Sequence, residues 1–349
     1  MGDKDAERAL SRRELLKRVG LGGAALLGGS LLGASVRDEA LATPPSDIYA
    51  TGGGHGGQMT VGDDVMSSIY ANGGGPPRGL DESSLDAPTF PPHPDGQPAG
   101  TVRELEFRVE ERLIEVAHEV FVEAWTYNGT VPGPIIRATE GDFLRIHLEN
   151  RTGHAHSIHF HGAHRPEMDG WEPIPPGGET VYEIEAGPAG LHPYHCHTAP
   201  LAEHIARGLY GLMIVDPVGG RPEAREVALL LSGFSNDEVG RNGVVAWNGV
   251  SGFYSDFPIK VSRNEPVRAY IVNMLEYESL ASFHLHARTF DVFPAGMGES
   301  PTFRDDTIAL AQGQRAIVEF TFPDYGRYMF HPHQHWLADR GAMGWFASI

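Results

Sequence analysis

The chain has 349 residues, 41% of them hydrophobic, which is material for two or three packed domains. Its 46 Asp and Glu against 27 Lys and Arg leave a formal net charge of −19, which argues against nucleic acid and against an anionic membrane surface as partners. One cysteine excludes an internal disulfide and leaves the compartment to be read from the N-terminus.

Residues 1–42 resemble a twin-arginine export signal. Ser11-Arg12-Arg13-Glu14-Leu15-Leu16-Lys17 precedes an apolar run from Val19 to Val36, and Ala40-Leu41-Ala42 offers a small-residue cleavage site. The run is rich in Gly, Ala and Ser, too weakly apolar for a firm anchor. A cleaved signal is therefore expected, with no stable membrane insertion and a periplasmic or extracellular destination. Residues 43–100 hold Gly52-Gly53-Gly54-His55-Gly56-Gly57, Gly73-Gly74-Gly75-Pro76-Pro77 and Pro91-Pro92-His93-Pro94, and read as a Pro/Gly-rich linker or arm. The lone His55 is read as solvated.

From Thr101 the texture changes. Glu104–Glu110, Phe143–Glu149 and Thr180–Glu185 alternate with period 2, punctuated by Asn128-Gly129 and Pro132-Gly133-Pro134, and predict half-buried antiparallel strands. Asp216-Pro217 to Pro222 ends this stretch, so a first domain is expected over 101–218. A second β-rich stretch, 219–349, carries strand patterns at Val227–Leu231, Ile259–Val261, Val267–Asn273, Phe290–Phe293 and Ala316–Phe322. Trp247-Asn248-Gly249 repeats Tyr127-Asn128-Gly129, which points to two copies of one β-sandwich.

Four His-x-His pairs run through both copies: His159/His161, His195/His197, His284/His286 and His333/His335. On extended chain each pair aims two imidazoles to one face. His195 and His197 enclose the sole cysteine, Cys196, which then points to the opposite face. Two imidazoles and a thiolate in a trigonal plane are the set copper favours for electron transfer. With His156 and His204 added, these sites take 10 of the 18 His. The second pair of the second half, His333/His335, is aligned with His195/His197, which puts Gln334 at the place of Cys196 and Ala281 at that of His156. The second half thus lacks a thiolate site while keeping its imidazole pairs. His154, His164, His192 and His331 lie near these motifs as either outer partners or incidental residues.

The motifs His156-x-x-His159-x-His161-Gly162 and His195-Cys196-His197 followed by His204 and Leu209 resemble the multicopper oxidases, above all their two-domain, laccase-like members. The resemblance covers about residues 101–349. It implies an all-β fold of two cupredoxin-like Greek-key β-sandwich domains, with Asn128 to Asp142 as the entry to the first. It implies about four coppers per chain. His156, Cys196 and His204 would hold type 1 copper. His159 and His284 would hold type 2, and His161, His195, His197, His286, His333 and His335 the type 3 pair. Six residues, Thr198 to Glu203, separate the His-Cys-His motif from His204 where the family usually has three; this departs towards copper nitrite reductases. Leu209 falls where an axial Met would lie in the nitrite reductases, Met213 having the wrong spacing from His204 for that place, and a non-ligating Leu implies a fairly high potential. Asp169 is read as a proton relay or, equally, as a turn residue before Gly170.

The resemblance further implies a homotrimer with trinuclear centres at subunit interfaces. The expected function is one-electron oxidation of a small reductant, phenol-like or a metal ion, coupled to four-electron reduction of O2 to water. The alternative is an NO-forming copper nitrite reductase, a family in which the position of His159 is typically Asp and that of His197 is not His. A simple electron carrier would need only His156, Cys196 and His204 and would leave eight imidazoles unexplained.

Overall fold

The computed structural model describes residues 100–234 and 242–349. The export signal and all of the arm but Gly100 lie outside the described residues.

The strands in chain order are β1 (Val102–Ala117), β2 (Val120–Tyr127), β3 (Ile136–Thr139), β4 (Phe143–Asn150), β5 (His159–Phe160), β6 (Glu179–Glu185), β7 (Gly190–His195), β8 (Tyr210–Asp216), β9 (Arg225–Phe234) and β10 (Val244–Trp247). There follow β11 (Ile259–Val261), β12 (Val267–Asn273), β13 (Leu280–Leu285), β14 (Phe290–Pro294), β15 (Phe303–Asp305), β16 (Thr307–Ala311), β17 (Arg315–Phe320), β18 (Gly326–His331) and β19 (Gly344–Ser348). Among the described residues three short α-helices interrupt them: α1 (Leu201–Ala206), α2 (Phe253–Asp256) and α3 (His335–Asp339). Among the described residues no helix is long and apolar enough to cross a membrane.

The alternation of the sequence is realised as a pair of cupredoxin-like β-sandwiches. The first half pairs its strands in the orders β2-β1-β4-β6 and β3-β8-β7-β5; the second in the orders β10-β9-β12-β17-β14-β15 and β11-β19-β18-β13-β16. The two halves share a plan. β1 lies parallel to β4 as β9 does to β12, and β3 parallel to β8 as β11 does to β19. Each half has its own apolar core, one around Tyr127, Ile146, Phe160 and Tyr194, the other around Trp247, Phe283, Phe330 and Phe346. A third apolar cluster joins the halves, with Leu191, Leu212 and Ile214 packed against Leu230, Tyr270 and Ile317. Beside it Arg137 is clamped between Asp216 and Glu226 at 2.7 and 2.6 Å, and Tyr270 donates its hydroxyl to Glu226.

The Asn-Gly turns are equivalent as expected. Asn128 and Asn248 adopt φ of 58° and 56°, and the glycines after them 81° and 85°. Asn tolerates this left-handed region and Gly enters it freely.

Candidate metal centre

β5 is two residues long and pairs antiparallel with β7, which sets His159 opposite His195 and Phe160 opposite Tyr194. β7 ends at His195, yet the Cys196 N–H still donates to the Leu209 carbonyl at 3.0 Å, so the alternation runs on past the strand. Cys196 turns into the sandwich and is fully buried. His195 and His197 turn the other way, their rings 5.2 and 5.3 Å from that of His159.

On the buried side His156 Nδ1 and His204 Nδ1 face the Cys196 sulfur at 3.9 and 3.2 Å and each other at 3.2 Å. The long spacing before His204 is taken up by α1, where the His204 N–H donates to the Pro200 carbonyl at 3.3 Å. Burial pushes the His156 imidazole down to about 3, with the neighbouring His204 adding to it, and that of His204 down to about 4. Both are therefore neutral bases at pH 7. Burial also pushes the Cys196 thiol up, against the Ser157 N–H that faces its sulfur at 3.4 Å. A thiolate in this place needs a positive charge that two neutral imidazoles do not bring. A copper ion would meet the need, and a buried thiolate with two neutral imidazoles converging on one point is a donor set that fits it.

On the outer side His159, His161, His195 and His197 form a quartet. His161 Nε2 and His195 Nε2 converge to 3.2 Å. His195 Nδ1 bonds the Cys196 carbonyl at 3.0 Å, and His159 Nδ1 bonds Asp169 Oδ1 at 2.9 Å. Burial lowers the His161 and His195 imidazoles to about 3 and about 4. Asp169 caps a 3-10 turn, Pro166–Met168, and also lies 3.4 Å from His164 Nε2. His164 thus shares the carboxylate of a quartet member. Gly162 follows His161 at φ 121°, where a Cβ would come within 2.9 Å of buried His192.

The second half repeats the quartet with a register that differs from the sequence alignment. β13 sets His284 opposite His331, not His333. His286 Nε2 and His331 Nε2 converge to 2.9 Å, and His331 Nδ1 bonds the Pro332 carbonyl at 2.8 Å, as His195 does that of Cys196. The His333 N–H donates to Ser282 Oγ at 2.7 Å, as the His197 N–H does to Ser157 Oγ at 3.2 Å. His331-Pro332-His333 is therefore the counterpart of His195-Cys196-His197, and Pro332, not Gln334, takes the place of the cysteine. The alignment slipped because both readings offer an i, i+2 pair; only strand pairing tells them apart. His335, aligned above with His197, instead opens α3, its ring 5.3 Å from that of His333. The helix registers match as well. The Leu209 N–H bonds the His204 carbonyl and the Ala342 N–H that of Leu337. The buried triad thus becomes Ala281, Pro332 and Leu337, three apolar residues with nothing to bind a metal.

Among the described residues the two quartets do not meet, and His286 and His333 are exposed. Trp171, 66% exposed, stands edge-on to His197 at 5.0 Å. His147 pairs with Glu104 on the surface, away from both sites.

Two multicopper oxidase family models match the chain, one over residues 108–219 and one over 225–349. The chain belongs to the multicopper oxidase family. This multicopper oxidase is 41% identical to a solved structure of a multicopper oxidase, with a TM-score of 0.71, over 78% of this chain and 98% of that one. It is 28% identical to a copper nitrite reductase structure from Nitrosomonas europaea, with a TM-score of 0.66, over 71% and 94% of the two chains. A copper-containing nitrite reductase of Neisseria meningitidis is 28% identical over 287 residues, 76% of this chain and 74% of that protein. Family membership implies copper, and the side chains described fit it.

Proposed function

We propose that the chain is a laccase-like oxidase that withdraws electrons singly from a small reductant at His156, Cys196 and His204 and reduces O2 to water at a second, imidazole-bound centre. The observation that carries this reading is the pair of like-built histidine quartets, His159/His161/His195/His197 and His284/His286/His331/His333. Eight imidazoles suit three coppers; a nitrite reductase needs one copper with three. The nitrite reductase reading draws on the relatives and on the long spacing before His204, but it leaves most of the eight without a task.

Copper in these sites would supply one-electron redox chemistry at the triad and four-electron O2 reduction at the quartets. The chain's own contribution is connection and order. Cys196 is covalently joined to His195 and His197, so the buried side of the strand and its outer face are linked through two peptide units. Asp169 Oδ1 holds the Nδ1 proton of His159, which leaves Nε2 free to ligate and places a carboxylate where protons must arrive. Each quartet is half a cluster, and the exposure of the second supports closure by a neighbouring subunit, in a homotrimer as in the resemblance. Export by the twin-arginine route to the periplasm or beyond completes the reading.

Copper analysis with optical and EPR spectra tests it. About four coppers per chain, with a thiolate absorption band and an EPR-silent pair, are expected. Two coppers per chain, both EPR-visible, would put nitrite reduction first. The intersubunit cluster is tested by mixing: chains carrying His197→Ala and chains carrying His333→Ala, inactive apart, should regain O2 uptake when reassembled together. No recovery after verified exchange of subunits would place each cluster within one chain.

A further inference from the structure

A cavity of about 650 Å3 opens beside the His156–Cys196–His204 triad, bounded by His204, His154 and the β1–β2 ribbon. In that ribbon Glu111 stands opposite Trp125 and Leu113 opposite Glu123. Alternation puts the four on one face, and all four line the cavity. Trp125 is only 8% exposed, because its indole packs on the rings of His156 and His204 at 5.0 and 4.7 Å while the Arg207 guanidinium covers it at 4.8 Å. His204 thus belongs to both the triad and the cavity wall, with Trp125 behind it.

Its charges are not balanced. Arg207 is held by Glu203 at 2.9 Å and Arg112 by Glu110 at 2.6 Å. Glu111 accepts the Gly153 N–H at 3.4 Å, and among the described residues neither it nor Glu123 has a cationic partner. The cavity is of a size that admits one aromatic ring with its substituents. Apart from the triad, no three metal-ligating atoms of its walls gather within 4.8 Å among the described residues, so no cage is prepared for a substrate metal ion.

We propose that this cavity receives a small cationic aromatic reductant, its positive group towards Glu111 and Glu123 and its ring against His154 and the edge of His204. The inference rests on the oxidase reading of the triad and names the substrate class of that site. A cationic phenol gives up one electron there and its hydroxyl proton to water, and leaves as a phenoxyl radical. Four such events supply the electrons that, with four protons from solvent, convert one O2 to two waters.

The test uses the copper-loaded full chain and two probes that carry no oxidisable hydroxyl, trimethylphenylammonium and benzenesulfonate, with binding measured by calorimetry. Trimethylphenylammonium should bind, and the Glu111→Gln/Glu123→Gln double variant should weaken it at least about fivefold, as should added salt in the unaltered protein. Benzenesulfonate should not bind. In anaerobic stopped flow, a hydroquinone bearing trimethylammonium should bleach the thiolate band faster than its sulfonated counterpart, an advantage lost in the double variant. Retention of copper and of the thiolate band shows that the double variant is folded. Equal binding in both proteins, or sulfonate binding as tight as ammonium binding, overturns the cavity inference alone. A chain with no thiolate band overturns the oxidase reading, and the reductant role with it.

Discussion

His159 shows how one side chain is prepared before any metal arrives. Its Nδ1 is taken by Asp169 Oδ1 at 2.9 Å, and its Nε2 is left with a lone pair. His284 repeats the arrangement with different partners, Nδ1 facing the Asp306 carbonyl and Thr307 Oγ1 at 2.9 and 2.7 Å. Replacing Asp169 with Asn keeps the shape and removes the charge. O2 consumption should fall about 10–100-fold, with copper content measured alongside to separate lost metal from lost proton delivery. The quartet of the second half makes a sharper distinction. His331→Ala should lose cluster copper and lower O2 uptake by at least about 10–100-fold. His335→Ala should stay near the unaltered protein on both counts. Copper per chain by mass spectrometry decides it, and a reversed pattern would restore the alignment of His333/His335 with His195/His197.

At the scale of elements, the site depends on the pairing of β5 with β7, and the fold around it on its tight turns. The Asn248 turn is built like the Asn128 turn but buried. Its side chain accepts the Leu230 N–H at 2.9 Å and donates to the Ala228 carbonyl and the Tyr254 hydroxyl at 2.8 and 2.6 Å. Asn248→Ala forces a Cβ residue without that hydrogen bonding to hold φ near 56° and strands a buried N–H. The cost should be about 2–4 kcal/mol in denaturant unfolding, and less for Asn248→Gly, which relieves the backbone but not the lost bonds. α1 is the other element that matters. It converts a six-residue spacing into a His204 that reaches the Cys196 sulfur, while the matching α3 carries Leu337 at that place and closes a dry core.

For the whole molecule, the buried imidazoles set an acid limit. In the unfolded chain each titrates near 6.5, whereas in the fold His156 and His161 are lowered to about 3 and His195, His204 and His331 to about 4. Between pH 6.5 and about 4 the unfolded chain therefore binds more protons than the folded one. The stabilisation is fully present above pH 6.5 and is lost as pH falls through that window. For His156 and His204, both buried, the loss is on the order of 1 kcal/mol per pH unit each. Scanning calorimetry of the metal-free protein should show Tm falling steadily from pH 7 to pH 5. Copper should offset much of that fall, because it binds the same lone pairs that protons would take.

Much of this was written in local chemistry. Period-2 alternation, Asn-Gly turns and a cysteine between two histidines need only the extended chain to be read, since each follows from where a single Cβ points. That is why the two β-sandwiches and the opposed faces of His195-Cys196-His197 were legible in residues alone, whereas His156 and His204 entered the triad through the resemblance. Long-range pairing decided the rest. His331 read as an outer partner or an incidental residue until β13 and β18 came into register. Sequence spacing counts residues along one strand and carries no information on which residue lies across from it. The cavity beside Trp125 belongs to the same class. Its walls come from β1, β2, α1 and the loop holding His154, from Glu111 to Arg207 in the chain, segments that only the closed sandwich brings together.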